Sequence, residues 1–360
     1  MPAILMPTAV ASPRTFDLAL PDLALARGGV VRHHRSRGWW WSREGDTPEA
    51  PQPNVPTVLL VHALTGSAQA GGPDGWWEPM IGPGRPLDPA QYRLVCFNNL
   101  GSCYGSSGPG VDGFPSQADL TTLDISRAIL QALDHLGIRR LHLTTGGSLG
   151  GMVTLTLAAL APERFERLLP IATSLAASAW VVGWNHVARE ILRLDPGYPH
   201  QVTRGLEIAR QLAMLTYRAE AGLDQRQPRS AAGQTAGAAG YPVQSYLEHQ
   251  GAKLRRRFAA QSYELQLAAM DHHDLRQPLP GETAPAVSRI RASSLVIDVD
   301  SDQLFTPAQA EVLTQHLRAA GARVERATLR SIHGHDAFLM EWDTLAPIVT
   351  RALHLEVPGR

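Results

Sequence analysis

Lysine is almost missing from this chain. Lys253 is the only one, and arginine carries the remaining positive charge. That leaves a single residue for Schiff-base chemistry. A charge surplus is missing too: 33 Lys and Arg stand against 33 Asp and Glu. No basic field exists to draw the chain to nucleic acid or to acidic lipid. Cysteine is scarce. Cys96 and Cys103 cannot build a disulfide framework, and their spacing fits no metal motif. A reducing cytoplasm is the expected compartment. Long apolar runs are lacking as well: residues 155–161 and 171–184 are too short or too polar to span a bilayer. Residues 1–13 are apolar, but no basic residue precedes the short apolar stretch, so no signal peptide is expected there.

What is present reads as a large globular chain. Its 360 residues are 44% hydrophobic and 18% charged, which excludes a disordered polymer and allows one large domain or two medium ones. Short β segments are expected at 16–20 and 30–35, followed by an Arg- and Trp-rich patch and a proline-rich loop at 45–55. Apolar runs of strand length follow at 57–62, 93–98, 141–145, 168–172, 295–299 and 324–329. Helical periodicity occupies 120–136, and an apolar helix is expected over 152–160. Strands apolar on both faces, alternating with helices, predict a mostly parallel sheet covered on both sides.

Between 178 and 288 the pattern turns helical, with no strand of core quality. It includes a low-complexity Ala/Gly/Gln/Thr stretch at 230–240, expected to be a mobile loop. The expected organisation is a core of residues 1–177 and 289–360, interrupted by a helical lid insertion at 178–288.

Gly146-Gly147-Ser148-Leu149-Gly150-Gly151 lies between a strand and a helix. It fits G-x-S-x-G in the context that a nucleophile elbow requires. Such a serine sits on a sharp, strained turn that tolerates only small neighbours. The turn exposes Oγ and leaves the next N–H, that of Leu149, at a helix N-terminus facing a developing oxyanion. An α/β-hydrolase fold then needs an acid and a histidine, in that order. Asp298, Asp300 and Asp302 compete for the first role. Asp302 is favoured because it alone lies on the loop beyond the strand. His333 and His335 compete for the second, and composition does not choose between them. Neither this pair nor Asp271-His272-His273-Asp274 supplies three ligands on one face, so no metal is expected.

Taken together, the motifs resemble the homoserine O-acetyltransferases, acyl-CoA-dependent enzymes of methionine biosynthesis with an α/β-hydrolase fold. The matching blocks run in family order from about 57 to 340. They include His62-Ala63-Leu64-Thr65-Gly66, Asn99-Leu100-Gly101-Ser102-Cys103, the elbow, Ala209-Arg210-Gln211, Thr216-Tyr217-Arg218, Ser301-Asp302 and Gly334-His335-Asp336-Ala337-Phe338-Leu339. The resemblance implies Ser148 as nucleophile, Asp302 as acid and His335 as base. It also implies Leu64 and Leu149 N–H groups as oxyanion donors. The family usually has methionine at 149; the change leaves the backbone donor in place. The segment after Pro109 is shorter and richer in glycine than usual.

For the acceptor, the resemblance implies Arg210 and Tyr217 for the homoserine carboxylate, Asp336 for the ammonium, and Thr65 lining the same pocket. Arg210 and Tyr217 are seven apart in a helical segment, hence on one face, and an arginine fork suits a carboxylate. The implied substrates are acetyl-CoA, as co-substrate with no other cofactor, and L-homoserine. A homodimer through the lid helices is implied as well. Competing expectations are a relative using succinyl-CoA or serine, and a plain serine esterase. The triad alone does not separate them; the acceptor residues do.

Overall fold

The computed structural model describes residues 10–229 and 240–357. Among the described residues there are ten strands: β1 (Arg14–Ala19), β2 (Leu23–Ala24), β3 (Val30–Val31), β4 (Arg35–Trp41), β5 (Thr57–Val61), β6 (Arg93–Phe97), β7 (Leu143–Gly147), β8 (Arg167–Ile171), β9 (Ser293–Val299) and β10 (Val324–Leu329). Eight form one sheet in the order β1-β4-β6-β5-β7-β8-β9-β10. The six from β6 to β10 are parallel, and β1 and β4 are added antiparallel at one edge.

Side chains alternate across a strand, and here both faces are apolar. Leu59 and Val61 of β5 enter one buried cluster while Val58 and Leu60 enter the other. In β6, Val95 and Phe97 face one side and Leu94 and Cys96 the other. The chain thus has the expected α/β-hydrolase architecture, with helices covering the sheet. These include α1 (Thr122–His135), α2 (Leu149–Leu160), α8 (Pro307–Ala319) and α9 (Trp342–Leu353). Helix α1 opens on a capping box in which Thr121 and Asp124 satisfy each other's backbone N–H groups.

The described residues of 178–288 contribute five helices: α3 (Ala179–Arg193), α4 (Arg204–Tyr217), α5 (Glu220–Arg226), α6 (Pro242–Arg255) and α7 (Ala260–Asp271). Helices α4 and α6 pack so closely that a Cβ on Gly251 would lie 2.6 Å from the Glu207 carbonyl oxygen. The low-complexity segment falls outside the described residues except for Gly240.

Two local expectations are corrected. Residues 30–35 are not one strand: Val30–Val31 pairs with β2, and a new strand begins at Arg35. The Arg/Trp patch is itself that strand. Its buried positions Ser36, Gly38 and Trp40 alternate with more exposed Arg35, Arg37 and Trp39. Gly38 is needed because a Cβ there would meet the Phe16 ring at 2.5 Å. The strand before the elbow runs Leu143–Gly147, two residues later than read, because Gly146 and Gly147 still pair with β8.

Candidate active site

Ser148 caps α2 directly after β7, with φ 58° and ψ −124°. A serine held in that region is strained, at about 1–3 kcal/mol. The surroundings show why it persists. The Ser148 N–H donates to the Ile171 carbonyl at 2.9 Å, and its carbonyl accepts from Gly151 and Met152. A Cβ on Gly146 or Gly150 would come within 2.6 or 2.2 Å of the Val61 carbonyl oxygen. One on Gly151 would strike Thr173 at 2.7 Å, and one on Gly147 the Phe338 ring at 2.4 Å. The glycines around the serine thus let strand, turn and helix close on one another.

Beyond β9, Asp302 is buried and bound on both oxygens. Oδ1 accepts from the N–H groups of Leu304 (2.8 Å) and Phe305 (3.0 Å). Oδ2 lies 2.7 Å from Nδ1 of His335. The carboxylate therefore holds the proton on Nδ1 and leaves Nε2 as the basic nitrogen. Burial pushes the His335 pKa down, but the charge and hydrogen bond of Asp302, with the charge of Asp336, outweigh it and leave it raised. The two rival acids are engaged elsewhere. Buried Asp298 pairs with Arg326 at 2.6 Å, and Asp300 accepts from the Ser331 N–H at 2.9 Å. Among the described residues the rival His333 has only a distant acid, Glu341, at 3.9 Å.

The His335 ring sits among Phe305, Phe338 and Tyr217, with ring centroids at 5.3, 5.8 and 5.6 Å. Phe338 is thus shared by the histidine and by the turn carrying Ser148, and it brings the two loops together.

The loop after β5 is fixed by His62. Burial lowers its pKa to about 4, so the ring is neutral near pH 7. Nε2 accepts from the Asn99 N–H at 3.0 Å, and Nδ1–H donates to the Ala63 carbonyl at 2.8 Å. Gly66 lies against the same side chain: a Cβ there would come within 2.9 Å of the His62 Cβ and 3.2 Å of its ring. Among the described residues, neither the Leu64 nor the Leu149 N–H donates to a protein acceptor. Thr65 is buried, and its carbonyl accepts from Arg257 at 2.6 Å.

Arg210 and Tyr217 share one face of α4, with the guanidinium 5.3 Å above the ring. Among the described residues no carboxylate pairs with Arg210. Asp336 is close enough for its charge to act on both Tyr217 and His335. It is not free, however: Arg218 pairs with it at 3.2 Å. Sequence reasoning gave Arg218 no role, although it directly follows Tyr217. Sequence reasoning also missed Asn99 and Phe338 as supports, since neither bears a reactive group.

No cluster of three His, Cys, Asp or Glu side chains among the described residues could hold a metal. In the 271–274 run the four groups diverge: Asp271 meets Arg189, His272 meets Asp119, His273 meets Thr122, and Asp274 meets Arg276.

The α/β hydrolase fold family model matches residues 56–335. A homoserine O-acetyltransferase of Thermus thermophilus is 40% identical over 320 residues, covering 81% of this chain and 80% of that protein. The crystal structure of homoserine O-acetyltransferase from Bacillus anthracis superposes with a TM-score of 0.85 at 21% identity, covering 98% of this chain and all of that one. Esterase E22 superposes at 0.81 with 18% identity, over 96% of this chain. At such identities the structural likeness establishes the fold, which transferases and esterases share.

Proposed function

The chain belongs to the homoserine O-acetyltransferase family, and from that premise we propose that it moves an acetyl group from acetyl-CoA to the side-chain hydroxyl of L-homoserine. The observation that carries the reading is the unpaired Arg210 over Tyr217, whose ring in turn faces His335. A hydrolase that releases acetate to water has no use for a carboxylate fork beside its base.

The proposed roles follow from the geometry. His335 Nε2 takes the Ser148 proton, and Oγ attacks the thioester carbonyl carbon. The Leu64 and Leu149 N–H groups hold the oxyanion. The C–S bond breaks, and the sulfur leaves with the proton from His335. The acceptor hydroxyl then gives its proton to Nε2 and attacks the acetyl carbon. The ester bond to Ser148 breaks, and Oγ regains the proton. This is covalent two-step transfer. Asp302 keeps the imidazole in the working tautomer and stabilises its cation. Arg210 and Tyr217 bind the acceptor carboxylate, and Asp336, shared with Arg218, faces the ammonium. Thr65 lines the same pocket.

Residues 178–288 are proposed as the lid that excludes water, on a core of 1–177 and 289–360. A homodimer through that lid is proposed as well. It rests on an apolar stripe on α3, with Trp180, Val187 and the following Leu194 exposed, beside Ile208 and Leu215 of α4. No helix of the described residues is long and apolar enough to cross a membrane. With two free cysteines, a cytoplasmic place in methionine biosynthesis is proposed.

The test is CoA release from acetyl-CoA, with and without homoserine. One burst of CoA without acceptor, acetate found on Ser148 by intact-mass spectrometry, and sustained turnover with homoserine support the reading. Sustained CoA release without acceptor identifies a hydrolase and defeats it.

A further inference from the structure

Beyond the triad and the acceptor residues, basic side chains that keep unpaired N–H or ring-nitrogen atoms gather at one place. A cavity of about 260 Å³ opens beside the His335 loop, lined by Arg218, Gly222, Leu223, Arg226, Gln227, Tyr246 and His333. Among the described residues no carboxylate lines it. Arg218 spends one nitrogen on Asp336 and a second on the Met340 sulfur, and its buried Nε has no partner. The buried Nδ1 of His333 has none either. Arg226 pairs with no acid among the described residues, yet it is close to His333: burial first, then the charges of Arg226 and Arg218 against that of Glu341, disfavour protonation of His333.

The cavity is also built rather than accidental. Helix α5 meets the 332–333 segment so tightly that a Cβ on Gly222 would lie 2.2 Å from the Ile332 carbonyl oxygen. Gly334, at φ +66°, allows no Cβ beside the Ala219 N–H. Together these contacts hold Arg226 on α5 opposite His333.

The larger cavity, of about 1170 Å³ between residues 109–119 and helices α3 and α7, provides a contrast. There Arg189, Arg193 and His272 already have Asp271, Glu264 and Asp119. It lacks the unsatisfied positive charge of the smaller one.

We infer that the Arg218–Arg226–His333 cavity is a phosphate subsite. Two guanidinium groups with free N–H donors match phosphate oxygens in geometry and charge, and Tyr246 and Gln227 add neutral donors. The volume lies below the roughly 300–1,000 Å³ of a pocket for a whole ligand, so it fits one charged group of something larger. The cavity opens beside the loop that carries His335, and its assignment to a phosphate of the acyl donor, at the far end of the pantetheine arm from the thioester, rests on the transferase reading above. A free phosphate compound is the other source of the same chemistry.

The experiment uses the full chain and Arg226→Gln, with Arg226→Lys as the conservative variant. Arg226 is exposed on α5, so the change leaves the core untouched. Pyrophosphate is titrated calorimetrically into each protein. The expected result is binding by the wild type, weakening of about tenfold or more in Arg226→Gln, as for a lost hydrogen bond to a charged group, and partial recovery in Arg226→Lys. Equal binding, or none, in wild type and Arg226→Gln overturns the subsite.

The source is read from kinetics. For a donor phosphate, the ratio of kcat/KM for acetyl-CoA to that for acetyl-pantetheine, which lacks phosphate, falls about tenfold or more in Arg226→Gln. A steady ratio with lost pyrophosphate binding assigns the same subsite to a free phosphate compound. Should the wild type show no CoA burst, the transferase reading falls while the titration still decides the subsite.

Discussion

The Asp302 carboxylate meets His335 Nδ1 at 2.7 Å while its other oxygen is held by the N–H groups of Leu304 and Phe305. The acid is therefore locked before it orients the base. An asparagine at 302 could present either its oxygen or its NH₂ to the ring, and the two backbone donors favour keeping its oxygen on themselves. The NH₂ would then face Nδ1 and turn the imidazole to the wrong tautomer.

Asp302→Asn should accordingly reduce turnover by about a thousandfold or more while leaving the thermal transition nearly in place. Asp298→Asn should do the reverse. It leaves Arg326 without its buried acid, costing about 1–3 kcal/mol of stability with turnover largely kept. Paired kinetic and unfolding measurements check both; an inactive, fully stable Asp298→Asn protein contradicts the assignment.

Replacing Ser148 tests the elbow twice. Ser148→Ala should lose about three orders of magnitude or more in kcat/KM and carry no acetate. Ser148→Gly should be equally inactive but more stable than Ser148→Ala, because glycine accepts the φ of 58° that alanine does not. A lower unfolding midpoint for the glycine variant would falsify the claim that strain is stored there.

Arg210→Ala should weaken the acceptor, not the donor. Leaving the homoserine carboxylate unpaired in a partly buried pocket costs about 2–5 kcal/mol, seen in kcat/KM for homoserine. The burst of CoA from acetyl-CoA should persist, since the acceptor is absent at that step. Loss of the burst with unchanged acceptor dependence places Arg210 in the donor site instead.

The pH dependence has two parts of opposite sign. The proposed mechanism needs His335 neutral at Nε2, and its folded pKa is raised above 6.5. The acid limb of kcat/KM should then have its midpoint above 6.5, and Asp302→Asn should move it lower because burial is then opposed only by the charge of Asp336. For stability, a raised histidine contributes below the unfolded pKa near 6.5, and that contribution fades as pH rises through the folded value. His62 and His273 behave oppositely, since burial lowers both to about 4. Their contribution is full above 6.5 and is lost as pH falls toward 4, about 3 kcal/mol each by the size of the shift. Denaturant midpoints at pH 7 and pH 5 should show the lower value at pH 5.

Much of this was legible along the chain. The elbow needs its glycines beside its serine, so the constraint is local and the sequence displays it. The six parallel strands were visible, most of them because strands buried on both faces carry apolar runs; the edge strand β10 is the exception, buried only at Val324 and Leu329. Strand β4 was not, because this antiparallel strand, between β1 and β6, alternates in burial, and Arg37 and Trp39 hide that alternation.

By itself, the sequence determined the parallel sheet, the strained serine, the order of serine, acid and histidine, and a helical stretch between them. These depend on residue type and near neighbours. Only the tertiary structure decided which of three aspartates reaches a histidine, because Arg326 and Ser331 remove the other two. It alone placed Tyr217 against His335, gave Asp336 a partner in Arg218, and left Arg218, Arg226 and His333 around one cavity. Those pairings join positions over a hundred residues apart, and chain folding, not local preference, sets which charges meet and which stay free.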